Sequence, residues 1–116
     1  MRVIVCGGRK YRNEARVWKE LNNLHSKIPF TSFMQGGEPN GADRIAKEWA
    51  KTKIGLERFE CKADWTTYGK AAGPIRNSRM LEWKPDMVVA FPDPESKGTW
   101  DMIDKARAAG VNTIVF

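Results

Sequence analysis

Three times in this chain an apolar run ends in a polar segment that carries glycine. Val3-Ile4-Val5 runs into Cys6-Gly7-Gly8-Arg9, and Phe33-Met34-Gln35 runs into Gly36-Gly37-Glu38-Pro39-Asn40-Gly41-Ala42-Asp43. Met87-Val88-Val89-Ala90-Phe91 is followed shortly by Lys97-Gly98-Thr99, while Ala72-Gly73-Pro74-Ile75-Arg76-Asn77 opens a helical stretch. Short apolar strands alternating with helices specify an open parallel sheet with helices on both faces. Ligands of such sheets bind outside the carboxyl ends of the strands. Glycines there let backbone N–H groups approach a phosphate, and the following helix points its positive end at it. The pattern therefore predicts a crevice for a phosphorylated small molecule.

Arg2–Cys6 reads as the first strand, and Asn13 to about Lys27 as a helix with Val17, Leu21, Leu24 and Ile28 at helical spacing. Asn13 is its expected N-cap. Thr31–Gln35 is the second strand, Gly41 to about Thr52 the second helix, and Leu56–Glu60 the third strand. Cys61–Ala72 shows no periodicity and reads as a long loop, a length that in compact domains is often functional. A helix from Gly73-Pro74 to about Trp83, the strand Met87–Phe91, a helix from Thr99 to Ala109 and the strand Val111–Phe116 complete the chain, with Thr99 as the expected N-cap of the last helix. The expected fold is α/β: one Rossmann-like three-layer domain, residues 1–116, with a five-stranded parallel sheet in the order 3-2-1-4-5. The order reverses between strands one and four, which places Gly7–Lys10 beside Pro92–Thr99.

A chain of 116 residues holds one core. Its net charge of +6 points to an anionic partner or serves solubility. No apolar segment is long enough to span a membrane, and the N-terminus enters a strand at once, so a cytoplasmic protein without a leader is expected. Cys6 and Cys61 form neither a disulfide framework nor a zinc site, and both read as small buried thiols. No metal-ligand cluster and no Ser/His/Asp set is present; His25 stands on a helix away from the expected crevice.

Gly7, Gly8 and Arg9 form a tight turn with a cation attached. They lack the third glycine of a dinucleotide fingerprint, so an ordinary NAD dehydrogenase is disfavoured. Gly36, Gly37 and Gly41 are suited to wrap a phosphate or ribose. Asp43, in the first helical turn, either accepts from a sugar hydroxyl or simply complements the helix dipole. No Gly-Lys-Ser/Thr follows, which excludes a P-loop. Arg76, Asn77 and Arg79 occupy the start of a helix, with the two arginines on one face, either binding phosphate or forming a solvated cationic surface. Gly98 and Thr99 open the last helix at the same crevice. Trp65 and Tyr68, in the long loop after Asp64, are placed either to stack on a base or to pack on the protein's own helix.

In this order along the chain, Gly7-Gly8-Arg9, the Gly36–Asp43 segment, Asp64-Trp65, Ala72–Asn77 with Met80, and Gly98-Thr99 with Asp101-Met102 resemble the SLOG superfamily, and within it the YspA-like branch. The resemblance spans Arg2 to Phe116. It implies a Rossmann-like domain that binds nucleotides or nucleotide-derived ligands. Relatives include the Lonely Guy phosphoribohydrolases, which cleave the base from a nucleoside monophosphate, and the DNA-processing protein A group, which binds single-stranded DNA. The enzymes' Arg-Lys-x-x-Met is similar to Arg76-Asn77-Ser78-Arg79-Met80, with the arginine kept and the lysine not. Of their Pro-Gly-Gly-x-Gly-Thr-x-x-Glu only Gly98-Thr99 matches cleanly, and Met102 stands at the glutamate. Asp101 lies about 100° round the helix from that position.

The leading expectation is binding, for sensing or processing, of a nucleotide or nucleotide-derived phosphorylated small molecule, with no cofactor required and no metal. The alternative is an N-glycosidic hydrolase of nucleoside monophosphates, with Arg76 on the phosphate and Asp43, Glu95 or Asp101 assisting departure of the base. Methionine at 102 favours binding, because it neither accepts nor donates a proton. Single-stranded nucleic acid is a further, secondary partner that the positive charge would attract. A second copy of the chain is an open option, and no membrane partner is expected.

Overall fold

A computed structural model describes residues 1–116. Strands β1 (Arg2–Gly7), β2 (Ser32–Gln35), β3 (Glu57–Glu60), β4 (Met87–Phe91) and β5 (Asn112–Val115) pair in parallel throughout, in the order β3-β2-β1-β4-β5. The fold is α/β and Rossmann-like, and its strand order reverses between β1 and β4. No helix is long and apolar enough to cross a membrane.

The period-2 alternation of β1 builds two half-cores. Val3 and Val5 face α1 (Glu14–Lys27) and α2 (Ala42–Lys51), joined by Phe33, Val89 and Trp49. Ile4 turns to the other side and meets Val88, Met80 of α4 (Ala72–Glu82), and Met102 and Ala106 of α5 (Lys97–Ala108). All of β4 is buried, as its unbroken apolar run requires. Trp49 is fully buried and donates its indole N–H to Asn22 Oδ1 at 2.9 Å, which removes the cost of burying that donor. His25 packs edge-on against Trp49 and Phe30 and accepts the Phe30 amide on Nδ1 at 2.9 Å, so its work is structural.

Asn13 caps α1 as expected, its Oδ1 accepting from the Arg16 amide at 3.0 Å. Two elements differ from the sequence reading. Cys61–Ala72 is not one loop: Asp64 caps a single helical turn, α3 (Trp65–Tyr68), through the Thr67 amide, and a 3-10 turn (Gly69–Ala71) leads into α4. The last helix starts at Lys97, with Ser96 rather than Thr99 at the N-cap position. Ser96 Oγ is taken by the Asp93 amide at 2.7 Å, which leaves the helix without a side-chain cap. Thr99 turns inward and is buried.

Candidate functional site

A cavity of about 450 Å³ opens at the carboxyl ends of β1 and β4, where the strand order reverses. Only three of its 22 lining residues are hydrophobic, so it suits a polar ligand. Its wall takes in Asp43 from the first turn of α2, Gly73, Pro74, Arg76 and Asn77 from the start of α4, and Lys97–Thr99 from the start of α5. Three helix N-termini, each the positive end of a dipole, therefore border one space.

Two glycines hold the turns that frame it. Gly41 has φ +78, and a Cβ there would collide with the Gly8 carbonyl oxygen, to which Ala42 N donates at 3.1 Å. A Cβ on Gly8 would overlap the Asp93 carboxyl group, which also accepts the Lys10 amide at 3.2 Å and the Glu95 amide at 2.8 Å. The β1–α1, β2–α2 and β4–α5 connections are thus locked together. Gly98 is different: a Cβ there would meet no atom within 4 Å, so that backbone faces open space.

A polar chain crosses the cavity floor. Arg76 donates Nη1 to the Gly36 carbonyl at 2.6 Å and Nε to Asn77 Oδ1 at 3.0 Å. Asn77 is buried and donates Nδ2 to the Gly98 carbonyl and to Asp101 Oδ2, both at 3.0 Å. Asp101 also pairs with Lys105 at 3.0 Å. Arg76 Nη2 is less engaged, its nearest carboxylate being Glu38 at 4.0 Å. Asp43 is 4% exposed and its Oδ2 accepts the Glu38 amide at 3.3 Å. Burial pushes its pKa up to about 7, against the opposing pull of the Arg76 guanidinium and nearby amides. Burial and the Asp43 charge push the Cys6 thiol well above its ordinary value, so it is a poor nucleophile.

At α5 the helix start is open. Ser96 makes no side-chain cap, and the Gly98 and Thr99 amides have no partner within the chain. The Thr99 hydroxyl makes no hydrogen bond within the chain either, and since no side-chain polar atom sealed from solvent is left unpaired, it opens on the cavity. Around the mouth, Arg9 lies over the Trp65 ring at 5.3 Å and pairs with Glu38 at 3.2 Å, and Lys10 pairs with Glu95.

Of the residues singled out in the sequence, Gly7, Gly8, Arg9, Gly36, Asp43, Trp65, Arg76, Asn77, Glu95, Gly98, Thr99 and Asp101 line this cavity. Gly37, Gly41, Tyr68 and Arg79 do not. Gly37 and Gly41 shape the β2–α2 turn from behind, both with positive φ. Arg79 does not share the face of Arg76. Three residues along a helix still leave about 60° between side chains, enough to send Arg79 outward over the Tyr68 ring at 5.7 Å. Met102 is fully buried in the core, and it is Asp101 that reaches the cavity. Lys10, Glu38, Lys70, Asp93 and Ser96 also line it, and the sequence assigns none of them a role in the site. Only Ser96 had a signal, a serine immediately before a helical pattern. No three His, Cys, Asp or Glu side chains gather into a metal site.

A model of the YspA, cpYpsA-related SLOG family matches residues 1–68 of the chain. The Gene 61 protein of Mycobacterium phage D29 is 33% identical over 120 residues, covering 99% of this chain and 95% of that protein.

Proposed function

The chain belongs to the YspA, cpYpsA-related SLOG family, and from that premise we propose that it binds a nucleotide or nucleotide-derived phosphorylated small molecule in the β1/β4 cavity. The observation that carries this reading is the open start of α5. The Gly98 and Thr99 amides and the Thr99 hydroxyl are unpartnered and line a polar cavity. An uncapped helix start in a half-enclosed space is an anion site. Arg76 Nη2 supplies further donors at the same wall. Trp65 and Arg9 at the mouth offer flat faces on which a base can stack.

Thermal shift with nucleoside mono- and diphosphates, ADP-ribose and the matching unphosphorylated nucleosides tests the reading. A phosphorylated ligand at 100 times its Kd should add about 2.7 kcal/mol, and its nucleoside should add little. Gly98→Val should abolish the shift yet leave the ligand-free Tm close to wild type, because the new side chain enters open space. No shift with any phosphorylated ligand, or an equal shift in the variant, counts against the site.

One observation favours a second reading, N-glycosidic hydrolysis: the Asp43 carboxyl is buried in the cavity wall, and that burial pushes its pKa up to about 7. Such a group can act as a general acid. Water would add to the anomeric carbon as the C–N bond breaks, the base would leave with the Asp43 proton, and the water's proton would restore the carboxyl. Met102, sealed in the core, takes no part. Steady release of free base, lost in Asp43→Asn, would establish this reading over binding alone.

A further inference from the structure

β3 forms one edge of the sheet, and all four of its residues are exposed. The Glu57 amide donates to the Thr31 carbonyl at 3.1 Å and the Cys61 amide to the Gln35 carbonyl at 2.9 Å. In a parallel ladder, alternate residues turn both backbone groups the same way, so residues 57, 59 and 61 spend theirs on β2. Arg58 and Glu60 therefore point their N–H and C=O groups out of the sheet edge. The Arg58 side chain has no ion-pair partner within the chain. Phe59 is 40% exposed on the opposite face, with its ring edge-on to Trp83 at 5.9 Å.

We propose that two copies of this chain join antiparallel along β3, in the register centred on Phe59, making one continuous sheet through both. Among registers centred within β3 itself, charge and backbone parity select that one. Centring on Glu57, Arg58 or Glu60 would set each of those charges directly opposite its own copy, which is unfavourable across a strand pair. Centring on Phe59 places Arg58 opposite the other copy's Glu60, twice over by symmetry. Those two pairs are the ones whose backbone groups point outward, so they become the hydrogen-bonded pairs. Phe59 then meets its own copy in the non-hydrogen-bonded position, where Cα atoms approach to about 4.5 Å and side chains pack closest. Trp83 of each copy backs the pair. Charges on an edge strand ordinarily block pairing; here they exclude other registers and admit this one.

Sedimentation velocity from micromolar to near-millimolar protein should show a monomer converting to a dimer. Arg58→Glu should shift the equilibrium to monomer, since it opposes two carboxylates. The double variant Arg58→Glu/Glu60→Arg should restore the dimer by exchanging the charges. Within its own chain Glu60 also accepts from Gln35 and pairs with Lys47 and Lys62, so hydrogen exchange on the wild type provides the independent measurement. The Arg58 and Glu60 amides should be protected only at concentrations where the dimer forms, while the Phe59 amide, already bonded to β2, is protected throughout. A monomer at every concentration overturns the proposal and leaves the edge to a strand of another protein. A dimer indifferent to Arg58→Glu, or one with freely exchanging Arg58 and Glu60 amides, overturns it equally.

Discussion

Asp43 shows how much one residue's chemistry depends on where the fold puts it. An aspartate in a first helical turn ordinarily stays ionised and complements the dipole. This one is enclosed, and burial outweighs the dipole, the amides and Arg76, raising its pKa from 3.8 to about 7. Between those two values the folded state holds a proton that the unfolded state has released. Its contribution to stability is therefore present at acid pH and lost as pH rises toward neutrality, at about 1.4 kcal/mol per unit of difference. Asp43→Asn cannot titrate, so its stability relative to wild type should improve from pH 4 to pH 8. Denaturant midpoints across that range should diverge; parallel curves would mean the carboxyl is ionised throughout. Gly41 and Gly98 make a second contrast at this scale. Gly41→Ala forces a left-handed backbone and a collision with the Gly8 carbonyl. It should cost at least about 1–2 kcal/mol in chemical denaturation, and a neutral result would mean that the β2–α2 turn moves freely.

At the scale of the element, caps and their absence separate structural helices from binding ones. Asn13 ties off α1, and Asn13→Ala should lower stability by about 1 kcal/mol in urea melts while leaving ligand affinity unchanged. A loss of affinity comparable to the loss of stability would place α1 in the site, contrary to its position. α5 is left open because Ser96 serves the Asp93 turn instead of its own helix. Most element ends were legible, since periodicity and capping residues lie close together in sequence. α3 was not, because four residues make barely one turn and offer no repeat to read. The start of α5 is ambiguous in the sequence for a related reason. Ser96 and Thr99 are both good caps by residue type, and the helix begins at Lys97, which puts Thr99 inside its first turn and facing the cavity.

Across the whole molecule the excess of positive charge is not gathered at the cavity. Arg9, Lys10, Lys70, Arg76 and Lys97 line it, and so do Glu38, Asp43, Asp93, Glu95 and Asp101. Five cations stand against five carboxyl groups, of which Asp43 has its pKa raised to about 7, so the attraction for phosphate comes chiefly from helix ends and amides rather than from a basic patch. Nucleotide affinity should accordingly fall only shallowly with added salt in calorimetric titrations, whereas a steep logarithmic slope is the signature of polyanion binding. The sequence by itself determined the alternation of strands and helices, the parallel sheet order and the glycine turns at the strand ends, because these follow from local periodicity and backbone freedom. Tertiary structure alone decided that Arg76 clasps Gly36 while Arg79 turns away to Tyr68, that Met102 is core while Asp101 reaches the cavity, and that burial pushes the Asp43 pKa up to about 7. Burial and pairing are set by groups far apart along the chain, and a one-dimensional pattern does not encode which of them meet.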